Sequence, residues 1–269
     1  MGSSARAGQA PTPPPAAPSP APDACGDGNG HSALLSVLIR PTFGLSPCAM
    51  KPGERLVEMG YQNATGTGNA PSHDATFPQT FVRFGLRPNF EVDIVAPDLE
   101  ATLLGTQRIS GFQDSGLGAK LELFHDAATV VGLGGIFTPA SGSAGLTAGS
   151  PTLNLTLAAS HQITPHFGAG VTFVAVSSSG ITPAGAIVRF TSLQPAVSVS
   201  EQVGSSAQFD LQEYGATRVA PGSLGGRYAT DVAFQMLLNP RFEVDFSAGR
   251  SITDAARLHY YGFGLGIRW

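Results

Sequence analysis

The chain has 269 residues, with 13% charged, 42% hydrophobic and a formal net charge of −4. A soluble domain carries about 25% charged residues, and a membrane helix needs about 20 consecutive apolar residues, a run this chain never reaches. Fifteen Lys and Arg with no basic cluster exclude a nucleic-acid footprint. Few charges combined with interrupted apolarity suit the alternating strands of a membrane barrel.

The first 30 residues are expected to be a disordered tail. Residues 10–22 alternate proline with small residues, cannot pair in a sheet and favour polyproline II. No secretory signal is convincing. The apolar run 33–39 is short and lacks a basic region before it, while Ala5-Arg6-Ala7 has the form of a cleavage site. Residues 31–53 read either as a periplasmic segment or as a plug inside a barrel lumen. Cys25 and Cys48, the only cysteines, could pair in an oxidising periplasm or stand as two free thiols.

From residue 54 onward the spacing predicts an all-β, antiparallel up-and-down transmembrane barrel of about twelve strands. The segments fall near 54–63, 77–86, 89–97, 114–125, 127–137, 151–161, 166–176, 187–200, 206–215, 227–238, 241–249 and 257–269. Phe90, Val92 and Ile94 oppose Glu91 and Asp93, and Phe242, Val244 and Phe246 oppose Glu243 and Asp245. A phase change near Pro195 predicts a bulge. Connections alternate between long loops rich in Gly, Ser, Thr and Ala and short turns such as Arg87-Pro88 and Asn239-Pro240. That asymmetry matches long extracellular loops and short periplasmic turns.

The last strand, Tyr261-Gly-Phe-Gly-Leu-Gly-Ile-Arg-Trp269, puts every large apolar residue on one face. On a soluble edge this would invite aggregation, whereas in a closed barrel that face meets lipid. An aromatic C-terminus also looks like the signature by which outer-membrane barrels are recognised for insertion, so assembly machinery is an expected partner. Phe84, Phe90, Phe167, Phe242 and Trp269 are expected to form an aromatic girdle at the periplasmic rim.

Register places Glu58, Arg83, Glu91, Asp93, Lys120, Glu122, Arg241, Glu243, Asp245 and Arg268 inside the lumen, with Arg268 directed toward Glu58 across the closing seam. Two readings stay open for this belt. It is a salt-bridge network filling the barrel, or it is also a constriction selecting permeants by charge and size. No catalytic set is expected. Ser160 and His161 are adjacent and point to opposite faces, the histidines lack metal-ligand spacing, and the Gly-rich runs do not precede helices. No metal or cofactor is implied.

Several motifs together resemble the meta-pathway phenol-degradation family of outer-membrane proteins, often described as transporters. They are Arg40-Pro41-Thr42 with Ser46-Pro47-Cys48, Leu56-Val57-Glu58-Met59-Gly60-Tyr61, Arg83-Phe84-Gly85-Leu86 before Asn89-Phe90-Glu91-Val92, Gly116 to Leu123, Thr138 to Ser143, and His259 to Gly264. The resemblance spans roughly residues 31–269. It implies a bacterial outer-membrane channel for passive passage of small molecules, hydrophobic or aromatic compounds among them. The alternative is a closed structural or surface-interaction barrel.

Overall fold

The computed structural model describes residues 23–67, 71–181, 187–218, 227–253 and 257–269. The proline-rich stretch 10–22 and parts of the loops expected near 64–76, 177–186, 216–226 and 250–256 lie outside the described residues. Among the described residues the elements are one short helix, α1 (Leu34–Val37), and fifteen strand segments. These are β1 (Arg55–Gly66), β2 (Ser72–Phe77), β3 (Phe81–Arg87), β4 (Phe90–Val95), β5 (Leu99–Leu104), β6 (Gln107–Phe112), β7 (Gly116–His125) and β8 (Thr129–Thr138). They continue as β9 (Thr152–Gln162), β10 (Phe167–Ile181), β11 (Ile187–Val203), β12 (Ala207–Ala216), β13 (Arg227–Asn239), β14 (Phe242–Ser251) and β15 (Leu258–Arg268).

All pairs are antiparallel, and β15 returns to pair with β1 from Leu56↔Arg268 to Gly66↔Leu258, closing a barrel of twelve strands. Fifteen segments make twelve staves because three staves are interrupted at one level. β2 continues into β3, β4 into β5, and β6 into β7. Pro78 and Pro97 stand in the first two breaks, where the missing N–H removes a ladder donor. Hydrogen bonds cross the gaps: Ala96 N donates to Thr80 O at 3.0 Å and Gln113 N to Asp98 O at 2.7 Å. The third break holds Asp114, whose carboxylate accepts from the N–H groups of Ser141, Gly142 and Ala148 at 2.6–2.8 Å, fastening the next loop to the wall.

Two expectations are corrected here. The expected loops 64–76 and 98–113 contain β2 and the β5–β6 hairpin, whose polar residues hid their strand character. No bulge occurs at Pro195, which pairs with Phe173 in unbroken register. The ladder with β12 begins only at Ala196, so no second neighbour requires the missing N–H. The apolar phase changes there because Phe190 lies toward the loop end, while the backbone keeps its alternation. The observed irregularities fall instead at Gly85/Arg87, Glu122/Phe124 and Leu237/Asn239, beside the short turns.

The alternation separates two environments. Leu117, Leu155, Phe173, Leu193, Phe209, Val232 and Phe263 project outward and are exposed, a surface suited to hydrocarbon. Most inward positions are small, polar or charged, with Leu56 and Val130 among the apolar exceptions. At the tight turn before β8, Asp126 accepts from the N–H groups of Ala128 and Thr129 at 2.8 and 2.7 Å. Those bonds hold its carboxyl below the usual carboxylate range. Leu157, outward at mid-strand on β9, gives a direct test. Leu157→Arg is expected to reduce folding stability in liposomes by about 2–4 kcal/mol, measured by urea titration, with a much smaller loss for Leu157→Phe.

Candidate functional site

Residues 23–53 form a loop that enters the barrel from the short-turn mouth, reaches its farthest point near Arg40–Gly44, and returns to β1. A disulfide joins Cys25 to Cys48 across its two legs, with the Cα atoms 5.5 Å apart. The apolar run 33–39 makes α1 and the following turn. Leu34, Leu35, Val37, Leu38, Cys25, Cys48 and Met50 pack with Leu56 and Val130 of the wall into a small apolar core inside the lumen.

The charged belt lies against this segment. Arg83, fully buried, is the hub. It donates to Glu91 Oε1 at 2.7 and 3.0 Å and to Glu58 Oε1 at 3.2 Å, and also to the carbonyls of Val37 and Cys48. Asp93 Oδ1 stands 3.9 Å from Arg83 Nε. Lys120 Nζ lies 3.0 Å from Glu91 Oε1 and donates to Ser46 O at 2.8 Å. The carboxylates reach the segment in turn. Glu58 Oε2 accepts from Ile39 N and Arg40 N, Glu91 Oε2 from Met50 N, and Glu122 Oε2 from Ala49 N. Glu58, Arg83, Glu91, Lys120 and Glu122 thus each have one contact on the wall or a neighbouring charge and another on the segment's backbone, whereas Asp93 has no hydrogen-bond partner.

Arg40 marks the inner tip. Its guanidinium donates to Gln79 Oε1 at 2.5 Å and Phe263 O at 3.2 Å, and lies 3.4 Å from Asp245 Oδ1. It rests on Gly60 and Gly264, directly paired residues across the β1–β15 seam. A Cβ on either would overlap the guanidinium, so this contact requires glycine on both strands. Gly85, Gly132 and Gly266 likewise leave room for Lys51, Pro47 and Leu38.

Nine of the ten expected lumen residues are buried, but two partnerships differ from expectation. Arg241 is exposed in the turn between β13 and β14, because the strand starts one residue later, at Phe242. Arg268 does not meet Glu58. It pairs opposite Leu56, donates to Ser32 O and Pro240 O, and lies 3.6 Å from Glu54 Oε1. Glu58 stands opposite Gly266, one lumen position deeper. Glu243 is fully buried with both oxygens unpartnered. Phe84, Phe90, Phe167 and Phe242 are half-buried and Trp269 is exposed, all near the short-turn end.

The residues that sequence reasoning missed are Arg40, Phe43, Asp210, Tyr214, Asp231, Gln235 and Tyr260. Alternation on β12, β13 and β15 carried the signal for the wall residues. Among the described residues, Cys25, Glu122 and His125 are the one trio close enough to hold a metal. Cys25 is committed to the disulfide and offers no thiolate. His125 instead bridges Glu122 at 2.7 Å and Asp23 at 2.7 Å.

Residues 57–269 match the family profile described as "Putative MetA-pathway of phenol degradation". This chain belongs to that family. No curated protein matches it significantly. Among solved structures, the COG4313 outer membrane channel from Pseudomonas putida F1 superposes with a TM-score of 0.67 at 11% identity, covering 85% of this chain and 100% of that one. NanC porin gives 0.55 at 10% identity, covering 78% and 98%. KdgM porin, solved in complex with disordered oligogalacturonate, gives 0.52 at 8% identity, covering 78% and 98%. The shared feature is the twelve-stranded outer-membrane barrel, and these neighbours are channels and porins rather than enzymes.

Because Arg83 joins two carboxylates and two segment carbonyls, Arg83→Met should strand buried charge. A destabilisation of about 3–5 kcal/mol is expected, read from urea titration in liposomes. Arg83→Lys should lose less, since it keeps the charge but not the forked geometry.

Proposed function

We propose that this chain is an outer-membrane channel for the passive passage of small molecules, held closed at rest by residues 31–53. The supporting observation is the space that segment leaves unfilled. A cavity of about 690 Å³ at the short-turn mouth is lined by Leu34, His166, Gln202 and Arg268. A second, of about 160 Å³, continues along β9–β13 between the wall and the segment. Leu35, Ser36, Gln162, Ser200 and Gln208 border both, so the two read as one interrupted path.

The belt of Glu58, Arg83, Glu91, Asp93, Lys120, Glu122 and Arg268 then serves as the seat of the plug, with Glu243 and Asp245 beside its tip. Phe84, Phe90, Phe167, Phe242 and Trp269 anchor the barrel at the periplasmic interface, and the final strand is the contact for the assembly machinery. The second reading, a closed structural barrel, draws on the density of the belt. Its buried charges fill the cross-section together with the segment.

Conductance separates the two. Deleting residues 1–50 is expected to raise single-channel conductance several-fold in planar bilayers, and Gly264→Leu, which excludes Arg40 from its slot, should do so partially. Conductance unchanged in both would favour the closed barrel. In the deletion variant, the wall carboxylates Asp210, Asp231, Glu243 and Asp245 should favour cations over anions. Asp210→Asn combined with Asp231→Asn should lower the potassium-to-chloride permeability ratio, and an unchanged ratio would remove this wall from the permeation path.

A further inference from the structure

The short-turn rim carries its exposed arginines on one quarter only. Arg55 opens β1, Arg87 ends β3 and Arg241 precedes β14, and all three are exposed. β14, β15, β1 and β3 are successive neighbours in the sheet, so at strand spacing the three span about 14 Å. The other short turns, 125–129, 162–167 and 203–207, hold no Lys or Arg, and the exposed acids beside them are Asp126 and Glu201.

Register fixes the face they occupy. Leu56, Arg83 and Glu91 are turned into the lumen, so Arg55 with its partner Phe84, and Arg87 with its partner Phe90, lie on the outer face. Arg55 and Trp269 exchange main-chain hydrogen bonds at 3.0 Å in both directions, and Arg268 N donates to Arg241 O at 2.9 Å. Trp269, at the end of β15, therefore stands between Arg241 and Arg55. On the lipid side of this cluster Phe242, Ile267, Val57 and Val82 are successive cross-strand partners, an apolar outer row. Among the described residues no side chain pairs with the three guanidiniums, and the Trp269 carboxylate offsets only one of their charges.

We propose that Arg55, Arg87 and Arg241, grouped around Trp269, form a binding site for an anionic glycerophospholipid of the periplasmic leaflet. Their guanidiniums hold the headgroup phosphate, which suits the forked donors of arginine, and the acyl chains lie along Ile267 and Val57. Charge selects an anionic lipid over a zwitterionic one, and the apolar row selects a lipid over a free phosphate. The short-turn end faces the phospholipid leaflet, away from the lipopolysaccharide at the long-loop end. A lipid seated here bridges β14, β15, β1 and β3. It clamps the closing seam from outside at the rim, while Arg40 fills the seam from inside. Binding is independent of whether the barrel conducts.

Trp269, the only tryptophan of the chain, supplies the probe. The full chain is folded into phosphatidylcholine-rich liposomes containing phosphatidylglycerol, at one fixed composition. Brominated acyl chains, which quench indole fluorescence, are carried by phosphatidylglycerol in one series and by phosphatidylcholine in the other. Quenching by brominated phosphatidylglycerol should exceed its share of the bilayer by about fivefold or more, the factor one arginine near an anionic lipid supplies. Combining Arg55→Gln, Arg87→Gln and Arg241→Gln should return quenching to the bulk share, and these exposed side chains leave no buried partner stranded. Wild-type quenching at the bulk share, or enrichment retained in the triple variant, would overturn the site. Loss of the enrichment on adding soluble glycerol 3-phosphate at equal phosphate concentration would overturn the lipid as ligand and mark the patch as a general anion site. Wild type should also resist urea better with phosphatidylglycerol present, and the triple variant should not. Enrichment without that gain would support the site and overturn the clamp.

Discussion

The interior depends on how buried charge is satisfied. Arg83, Lys120, Glu58 and Glu91 are removed from water almost completely, a condition that is costly without full partnering. Ion pairs supply part of the answer, and the main chain of residues 37–50 supplies the rest. Carbonyls of Val37, Ser46 and Cys48 meet the cations, and N–H groups of Ile39, Arg40, Ala49 and Met50 meet the carboxylates. The segment has little regular secondary structure, so its backbone groups are free to be used this way. Wall and segment are complementary because each carries what the other lacks.

That exchange explains the seam. β1 and β15 close the barrel with Gly60 opposite Gly264, a pairing that offers no side-chain contact across the strands and is weak by sheet standards. The Arg40 guanidinium fills the resulting slot and bonds to Phe263 O and Asp245. What looks like a flaw in the closing strand is a surface shaped for one side chain of the segment. The outward neighbours compensate, with Tyr61 against Phe263 at 5.3 Å between ring centroids.

Much of the barrel is legible in the sequence because lipid on one side and polar lumen on the other impose a period of two. Glu91 and Asp93 announced their face through Phe90, Val92 and Ile94, and the turns before Phe90, Phe167 and Phe242 set the direction of the staves. Legibility failed where that period carried no information. β2, β5 and β6 continue interrupted staves with mixed residues such as Asp74, Glu100 and Arg108, so they read as loops. Arg241 was assigned by extending a pattern one residue past the start of its strand. The inner segment has no periodicity, and its position inside the lumen depends on distant partners. Arg40 contacts Asp245, more than two hundred positions away. Tyr214 and Tyr260 were visible as residues but not as a pair, since their meeting requires the curved wall to bring β12 and β15, separated by β13 and β14, within side-chain reach.

The disulfide has a topological consequence. Both legs of the inner segment lie at the same mouth, where Asp23 meets Lys51 and His125, and Gly53 meets Gly85. Residues 25–48 form a covalently closed ring that enters and leaves through one opening and encircles no strand. Such a ring is unthreaded, like a stopper on a short tether. Withdrawing such a ring would break its own bonds to the wall, those with Glu58, Arg83, Glu91, Lys120 and Glu122 among them, but none between strands, and the bond between Cys25 and Cys48 would keep its two legs together.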